Sequence, residues 1–181
     1  MAQKDCEQMK IILQYITLFA VVLCCFAACQ NDEKESSRHM SKEKLIELNT
    51  ILVRMDSMYI TMYSDTMNLN SHPTPSGLWL TIHDEGNGDL IETGQTVDIA
   101  FKISNLKGKT YYTSETEGSR QIVVGKGDIE DGLNETLQML RPHARATAIL
   151  IPDKAFGLLG DNNKIRGRQI LRYDIEILDV K

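Results

Sequence analysis

Residues 144–151 hold Ala144, Ala146, Ala148, Ile149, Leu150 and Ile151 in one apolar run that stops at Pro152. Ten places after the loop residue Asp161, a second stretch begins with Leu171 and alternates strictly: Leu171, Tyr173, Ile175 and Ile177 are apolar, with Arg172, Asp174 and Glu176 between them. Period-two alternation is the pattern of a strand with one buried face. Asp179 breaks the apolar series, and the strand is expected to fray there. Between the two stretches lie Phe156, Gly157, Gly160 and a polar turn at residues 161–164. The end of the chain therefore predicts two strands that carry a long glycine-bearing loop. Loops held on a rigid sheet are where function concentrates.

The rest of the chain is bounded by simple counts. A length of 181 residues allows one domain with appendages. The formal net charge of −5, with no basic stripe, argues against nucleic acid as a partner. All four cysteines, Cys6, Cys24, Cys25 and Cys29, fall near the start, so nothing later can build a thiolate metal site. The four histidines, His39, His72, His83 and His143, are scattered without metal-ligand spacing. No metal site and no cofactor is expected.

Residues 11–28 are almost wholly apolar, follow Lys10, and end in the small pair Ala27 and Ala28 directly before Cys29. A positive start, an apolar core and small residues at the exit make a secretory leader. The cysteine that follows resembles the lipidation site of a bacterial lipoprotein, with Cys29 as the lipid-bearing residue. The alternative is an uncleaved anchor, for which the run is short of a span of about 20 residues. Both readings put the domain in the cell envelope, held to a membrane. Residues 29–40 are polar and read as a flexible tether.

Residues 41–66 contain no Pro or Gly and read as one helix, with Ser41 as N-cap and Glu43 in its first turn. Leu45, Leu48, Leu52, Met55, Tyr59 and Met62 form a heptad-like seam, flanked by Ile46, Val53 and Ile60. An apolar face of this kind needs a cover. It either packs on its own domain or pairs with a second copy, a homodimer through residues 41–66. Pro73, Pro75 and Gly77 then set an extended boundary, so that residues 41–75 form a stalk and linker.

From 76 to 181 the pattern is strand, turn, strand, with one helical stretch at residues 128–140, where Ile129, Leu133, Leu137 and Leu140 recur at helical spacing. Strands with short links and a single helix predict an α+β domain, an antiparallel sheet of about five strands against one short helix.

The ordered set Gly77 and Leu78, Gly86 and Gly88, Gly94 to Val97, Lys107 to Lys109, Val124 and Gly125, Asp131 to Leu133, Ala155 to Gly157, and Tyr173 to Leu178 resembles FK-binding-protein (FKBP) type peptidyl-prolyl cis-trans isomerases over residues 76–181. Together with the leader, the stalk and Glu130, it looks closest to the gliding-motility-associated FKBP-like lipoproteins of Bacteroidetes. The resemblance implies a curved sheet wrapped on a short helix and a proline-binding pocket between them. Carried over by position, the pocket residues are Phe101, Tyr111, Tyr112, Ile129, Glu130, Leu133, Phe156, Ile165 and Tyr173. Phe101 and Phe156 stand where the family usually has tyrosines, and Leu133 where it often has a tryptophan. Tyr112 stands at the place of an aspartate, Arg120 at that of an aromatic residue, and Glu130 at that of an aliphatic one.

The activity implied is isomerisation of X-Pro bonds in exported polypeptides. The alternative on the same fold is a non-catalytic chaperone or binding module, in which Tyr112 replaces the polar contact of an enzyme. A third reading makes the stalk a docking element of a surface motility or secretion assembly.

Overall fold

The computed structural model describes residues 41–127 and 129–181. The leader at 1–28, the tether at 29–40 and Cys29 lie outside the described residues. The chain divides into two compact units, Met1–Leu45 and Ile46–Lys181. Of the first, residues 41–45 are described. Here Ser41 starts helix α1 (Lys42–Thr66) by accepting from the backbone of Lys44 on its hydroxyl and from Leu45 on its carbonyl.

In the second unit α1 continues and is followed by strands β1 (His72–Pro73), β2 (Leu78–Asp84), β3 (Thr96–Asn105) and β4 (Thr110–Thr113). Helix α2 (Ser114–Glu117), strand β5 (Arg120–Val123), helix α3 (Asp131–Gln138), strand β6 (Arg145–Leu150) and strand β7 (Leu171–Val180) complete it. All strands pair antiparallel in the order β1-β2-β6-β7-β3-β4, with β5 also on β3. The α+β class, the antiparallel sheet and the long first helix are as expected. The sheet has seven strands rather than about five. The extra pairing comes from His72–Pro73, whose proline sits on an edge where a missing N–H is harmless, and from short segments that share one side of β3.

One face of the sheet carries Leu78, Leu80, Val97, Ile99, Ala146, Ala148, Tyr173, Ile175 and Ile177 into a core closed by Leu133, Leu137 and Leu140. The other face is covered as well. Trp79 and Ile149, register partners that point opposite to their neighbours, pack with Ile151 and the fully buried Ile60 of α1. This double cover explains why Ala148, Ile149, Leu150 and Ile151 are apolar without alternation: the second half of β6 is buried on both sides. Val53 and Tyr63 flank Ile60 in the same cluster. The heptad seam faces outward instead, with Leu45, Leu48, Met55, Tyr59 and Met62 exposed. Arg172 on β7 donates to the Tyr63 hydroxyl at 3.0 Å, which adds a polar tie between helix and sheet.

Two expectations are corrected. β7 does not fray at Asp179. Its pairing with β3 slips between Asp98 and Ile99, so that Asp98 pairs Asp179 while Ile99 pairs Ile177. The bulge at Leu178 reverses the alternation, turning Asp179 out and bringing Val180 onto the core. The helix expected over 128–140 is shorter, Asp131–Gln138. Glu130 is already extended (φ −62°, ψ 135°), and Met139 and Leu140 close the helix end by bonding three residues back.

Candidate functional site

β3 positions the first site residue. Between Ile99, where pairing with β5 ends, and Lys102, where pairing with β4 begins, the backbone of Phe101 has no strand partner on that side. The Ser114 hydroxyl fills the gap. It accepts from the Phe101 N–H at 2.5 Å and lies 3.2 Å from the Phe101 carbonyl, to which it donates. A part-buried backbone pair that the strands leave open is thus satisfied by a side chain. The start of α2, capped by the Thr113 hydroxyl toward Glu115, holds Ser114 there.

The loop between β6 and β7 presents Phe156, Asp161 and Ile165. It is pinned at several points: Gly157 N–H to Pro152 at 2.8 Å, Arg168 N–H to Gly157 at 2.8 Å, and Gly160 N–H to Phe156 at 3.1 Å. Gly160 has φ +80°, and a Cβ there would meet the Ile165 carbonyl oxygen at 2.2 Å, so only glycine fits. Asp161 Oδ1 accepts from the backbone N–H of Asn163 and Ile165 at 2.9 and 2.8 Å, while Oδ2 accepts from the Tyr112 hydroxyl. Asn163 Nδ2 also donates to Tyr112, at 3.2 Å, and Lys164 Nζ stands 4.4 Å from its ring centre. Burial would raise the pKa of Asp161, but the Tyr112 hydroxyl and the two backbone donors hold it below the usual carboxylate value. Tyr112 is pushed up, first by burial and then by the adjacent Asp161.

Leu133, Ile165, Tyr111 and Tyr173 are buried members of the main core, and Phe101, Tyr112, Ile129 and Phe156 pack against that core half-buried. The first four lie inside that core, and the second four lie on its half-buried border. Tyr111 also donates to Gln169 Oε1 at 3.2 Å and accepts from Asn105 Nδ2 at 3.4 Å, which fixes its ring beneath the start of β7. Glu130 joins through Tyr173, whose hydroxyl its carboxylate neighbours. The Glu130 side chain is 6% exposed and its Oε2 lies 3.8 Å from Arg120 Nη1. Burial first, and the Glu130 carboxylate second, push Tyr173 well above the ordinary tyrosine value.

Two clefts open elsewhere on the second unit. One, of about 420 Å³, runs between Phe101, Ser114, His83, Arg145 and Asp174; the other, of about 510 Å³, lies between Asp56 and Tyr59 of α1, Leu106 and Arg168. Of the nine residues singled out in the sequence, Phe101 alone lines either cleft. Sequence reading missed Ser114, Asp161 and Asn163. A serine 13 residues from Phe101 carries no local signal that it completes a strand. Asp161 with the next two residues had the look of a turn, and only its side-chain bonds reveal that it braces Tyr112.

The chain spans about half the length of the two relatives named next. It is 27% identical over 107 residues to a probable FKBP-type peptidyl-prolyl cis-trans isomerase of Haemophilus influenzae, covering 59% of this chain and 44% of that protein. It is 26% identical over 153 residues to the FKBP-type peptidyl-prolyl cis-trans isomerase FkpA of Buchnera aphidicola, covering 84% of this chain and 56% of that one. Its fold is similar to the crystal structure of FkpA from Escherichia coli, with a TM-score of 0.60 and 18% identity over 92% of this chain and 82% of that chain. The family model for FKBP-type peptidyl-prolyl cis-trans isomerase matches residues 88–178, half of the 181-residue length. With the family model matched over residues 88–178 on one antiparallel sheet, the chain belongs to the FKBP-type peptidyl-prolyl cis-trans isomerase family.

Proposed function

We propose that this chain catalyses cis-trans isomerisation of X-Pro bonds in polypeptides of the cell envelope. The observation that carries this reading is that Phe101, Tyr112, Ile129 and Phe156 stay half-buried where they pack against the core of Leu133, Ile165 and Tyr173, which we read as the rim and floor of a proline pocket. A peptide bond resists rotation by about 18–20 kcal/mol because twisting costs resonance. At X-Pro the isomers are close in energy yet exchange slowly. The planar amide carries separated charge and the twisted one less. An apolar rim that excludes water therefore favours the twisted form, which is differential binding of the transition state without a covalent step. Glu130 contributes its backbone at the start of α3, and Tyr111 holds the floor.

The experiment is the refolding of a proline-limited substrate with the full chain and with its Phe156→Ala variant. Wild type accelerates the slow phase, and the variant loses most of that acceleration. No acceleration at stoichiometric protein removes the enzyme reading.

A second reading is favoured by one contact. Tyr112 stands where the typical enzyme has an aspartate, and its hydroxyl is taken up by Asp161 and Asn163. A rim without that free polar group suits a chaperone or binding module that holds proline-bearing segments. In both readings Cys29 carries a lipid, and the domain works at an envelope membrane as a lipoprotein like those of the Bacteroidetes gliding-motility group. The exposed seam of α1 suits pairing with a second copy through residues 41–66, or docking in a motility or secretion assembly. Loss of membrane association in Cys29→Ser tests the anchor; sedimentation of Met55→Glu against wild type tests the pairing.

A further inference from the structure

Leu158 and Leu159 are the most exposed large apolar side chains of the described residues, at 72% and 83%. They stand on the loop between β6 and β7, two and three positions after Phe156. The backbone that carries them is fastened on both sides. Gly157 donates to the Pro152 carbonyl and accepts from the Arg168 N–H, both at 2.8 Å, and Gly160 bridges to Arg166. Gly167 runs so close that a Cβ there would strike the Leu158 carbonyl. With the half-buried Phe156, the two leucines make one apolar run broken only by Gly157.

Three kinds of partner could cover this run. A second copy of the chain fits poorly. Two leucines offer on the order of 200 Å² per copy, far short of the roughly 800 Å² per partner that a stable dimer buries. A lipid surface would need a basic ring around the apolar tip. Here Lys154, Lys164 and Arg168 are each paired with an acid, Glu135, Glu117 and Asp56. Of the basic residues on the loop, that leaves only Arg166 without an ion pair among the described residues.

A client polypeptide at Phe156 reaches the leucines directly. The Gly160 N–H closes a turn on the Phe156 carbonyl at 3.1 Å. Turns keep residues three apart within about 7 Å, and an extended peptide advances about 3.3 Å per residue. A chain whose proline lies at Phe156 therefore passes Leu158 and Leu159 two or three residues away from that proline.

We propose that Leu158 and Leu159 select clients that carry a large apolar side chain two or three residues from the proline. This rests on the prolyl isomerase reading above and names the substrate class of that same site.

The test uses the full chain and proline peptides that differ only in leucine or glutamine, placed two or three residues before or after the proline. Isomerisation is followed as kcat/KM. At one of these positions the leucine peptide is favoured by about tenfold. In the double variant Leu158→Gln, Leu159→Gln that ratio falls toward one. Both side chains already lie in water, so the variant melts with wild type. Leu90→Gln, at a leucine 48% exposed outside the site, keeps the preference. Equal kcat/KM for leucine and glutamine at every position in wild type overturns the inference and leaves the isomerase reading standing. A preference that persists in the double variant overturns it too. So does an unchanged ratio accompanied by loss, in the double variant, of flotation with phosphatidylglycerol–phosphatidylethanolamine vesicles or of a sedimenting dimer, which assigns the leucines to lipid or to a second copy. If no peptide is accelerated, the isomerase reading fails, and the same leucine-to-glutamine ratio measured as Kd by calorimetry decides the inference for a binding module.

Discussion

The Tyr112 hydroxyl donates to Asp161 Oδ2 across 49 positions of sequence and so joins the short edge strand β4 to the loop that carries Phe156 and Ile165. Asp161 is the hub of that loop, because its other oxygen accepts two backbone N–H groups at once. Removing the hydroxyl in Tyr112→Phe is expected to cost about 1 kcal/mol of stability, a hydrogen bond to a charged group that is partly exposed. Asp161 then loses the hydrogen bond that does most to lower its pKa, which moves up toward the ordinary carboxylate value. Carboxyl NMR titration of both proteins checks the direction. In wild type, Asp161 has a folded pKa below the 3.8 of the free side chain. Its contribution is therefore present above about pH 4 and lost as pH falls through the folded value.

Ser114→Ala leaves the N–H and the carbonyl of Phe101 unpaired at the gap between β4 and β5. The loss is expected at about 1–3 kcal/mol, the desolvation cost of orphaned backbone groups. Denaturant melts measure the total. Amide exchange adds the location: Phe101 loses protection, while Ile177, deep in the β3–β7 ladder, keeps it.

Ile60→Ala removes the one apolar side chain of α1 that is fully buried, from beneath Trp79 and Ile149. A truncation of that kind costs about 2–4 kcal/mol. Met58→Ala, with its side chain 62% exposed on the same helix, is expected to change stability by less than about 0.5 kcal/mol. Trp79 fluorescence follows both, since it is the sole tryptophan.

Tyr173 fixes the alkaline behaviour. Its folded pKa lies well above the free value of 10.0, so the unfolded chain releases this proton first. The contribution of Tyr173 to stability is whole below about pH 10 and declines as pH rises toward its folded pKa. Phenolate absorbance in the native protein is expected to lag that of the unfolded chain, with Tyr112 shifted upward and Tyr173 shifted further, and Tyr173→Phe removes the larger part of the difference.

How far the sequence carried the fold depended on which signals are local. The alternation at Leu171, Tyr173, Ile175 and Ile177 placed β7 and its buried face directly. Ser41 and the absence of Pro and Gly placed α1 to within a residue. The bulge at Leu178 was invisible, because alternation alone cannot register a slip that depends on Asp98 in another strand. The seam on α1 misled about which face meets the sheet. Val53 and Ile60 do so because Trp79 and Ile149 lie opposite them, and that pairing is a fact of tertiary packing. For the site, the resemblance brought Phe101, Phe156 and Tyr173 into view. The polar members Ser114, Asp161 and Asn163 act through side-chain bonds to distant segments, and no spacing encodes such bonds.

Arg168, at the foot of the loop, donates to both Asp56 oxygens of α1, at 3.0 and 3.1 Å. Burial raises Asp56 while Arg168 opposes that rise, so the pair is strained by its partial desolvation but held by two bonds. Free energy that seats the helix thus also steadies the segment bearing Phe156. A partner that pried α1 off the sheet would slacken the Phe156 loop from behind, at a distance, without touching Phe156 itself.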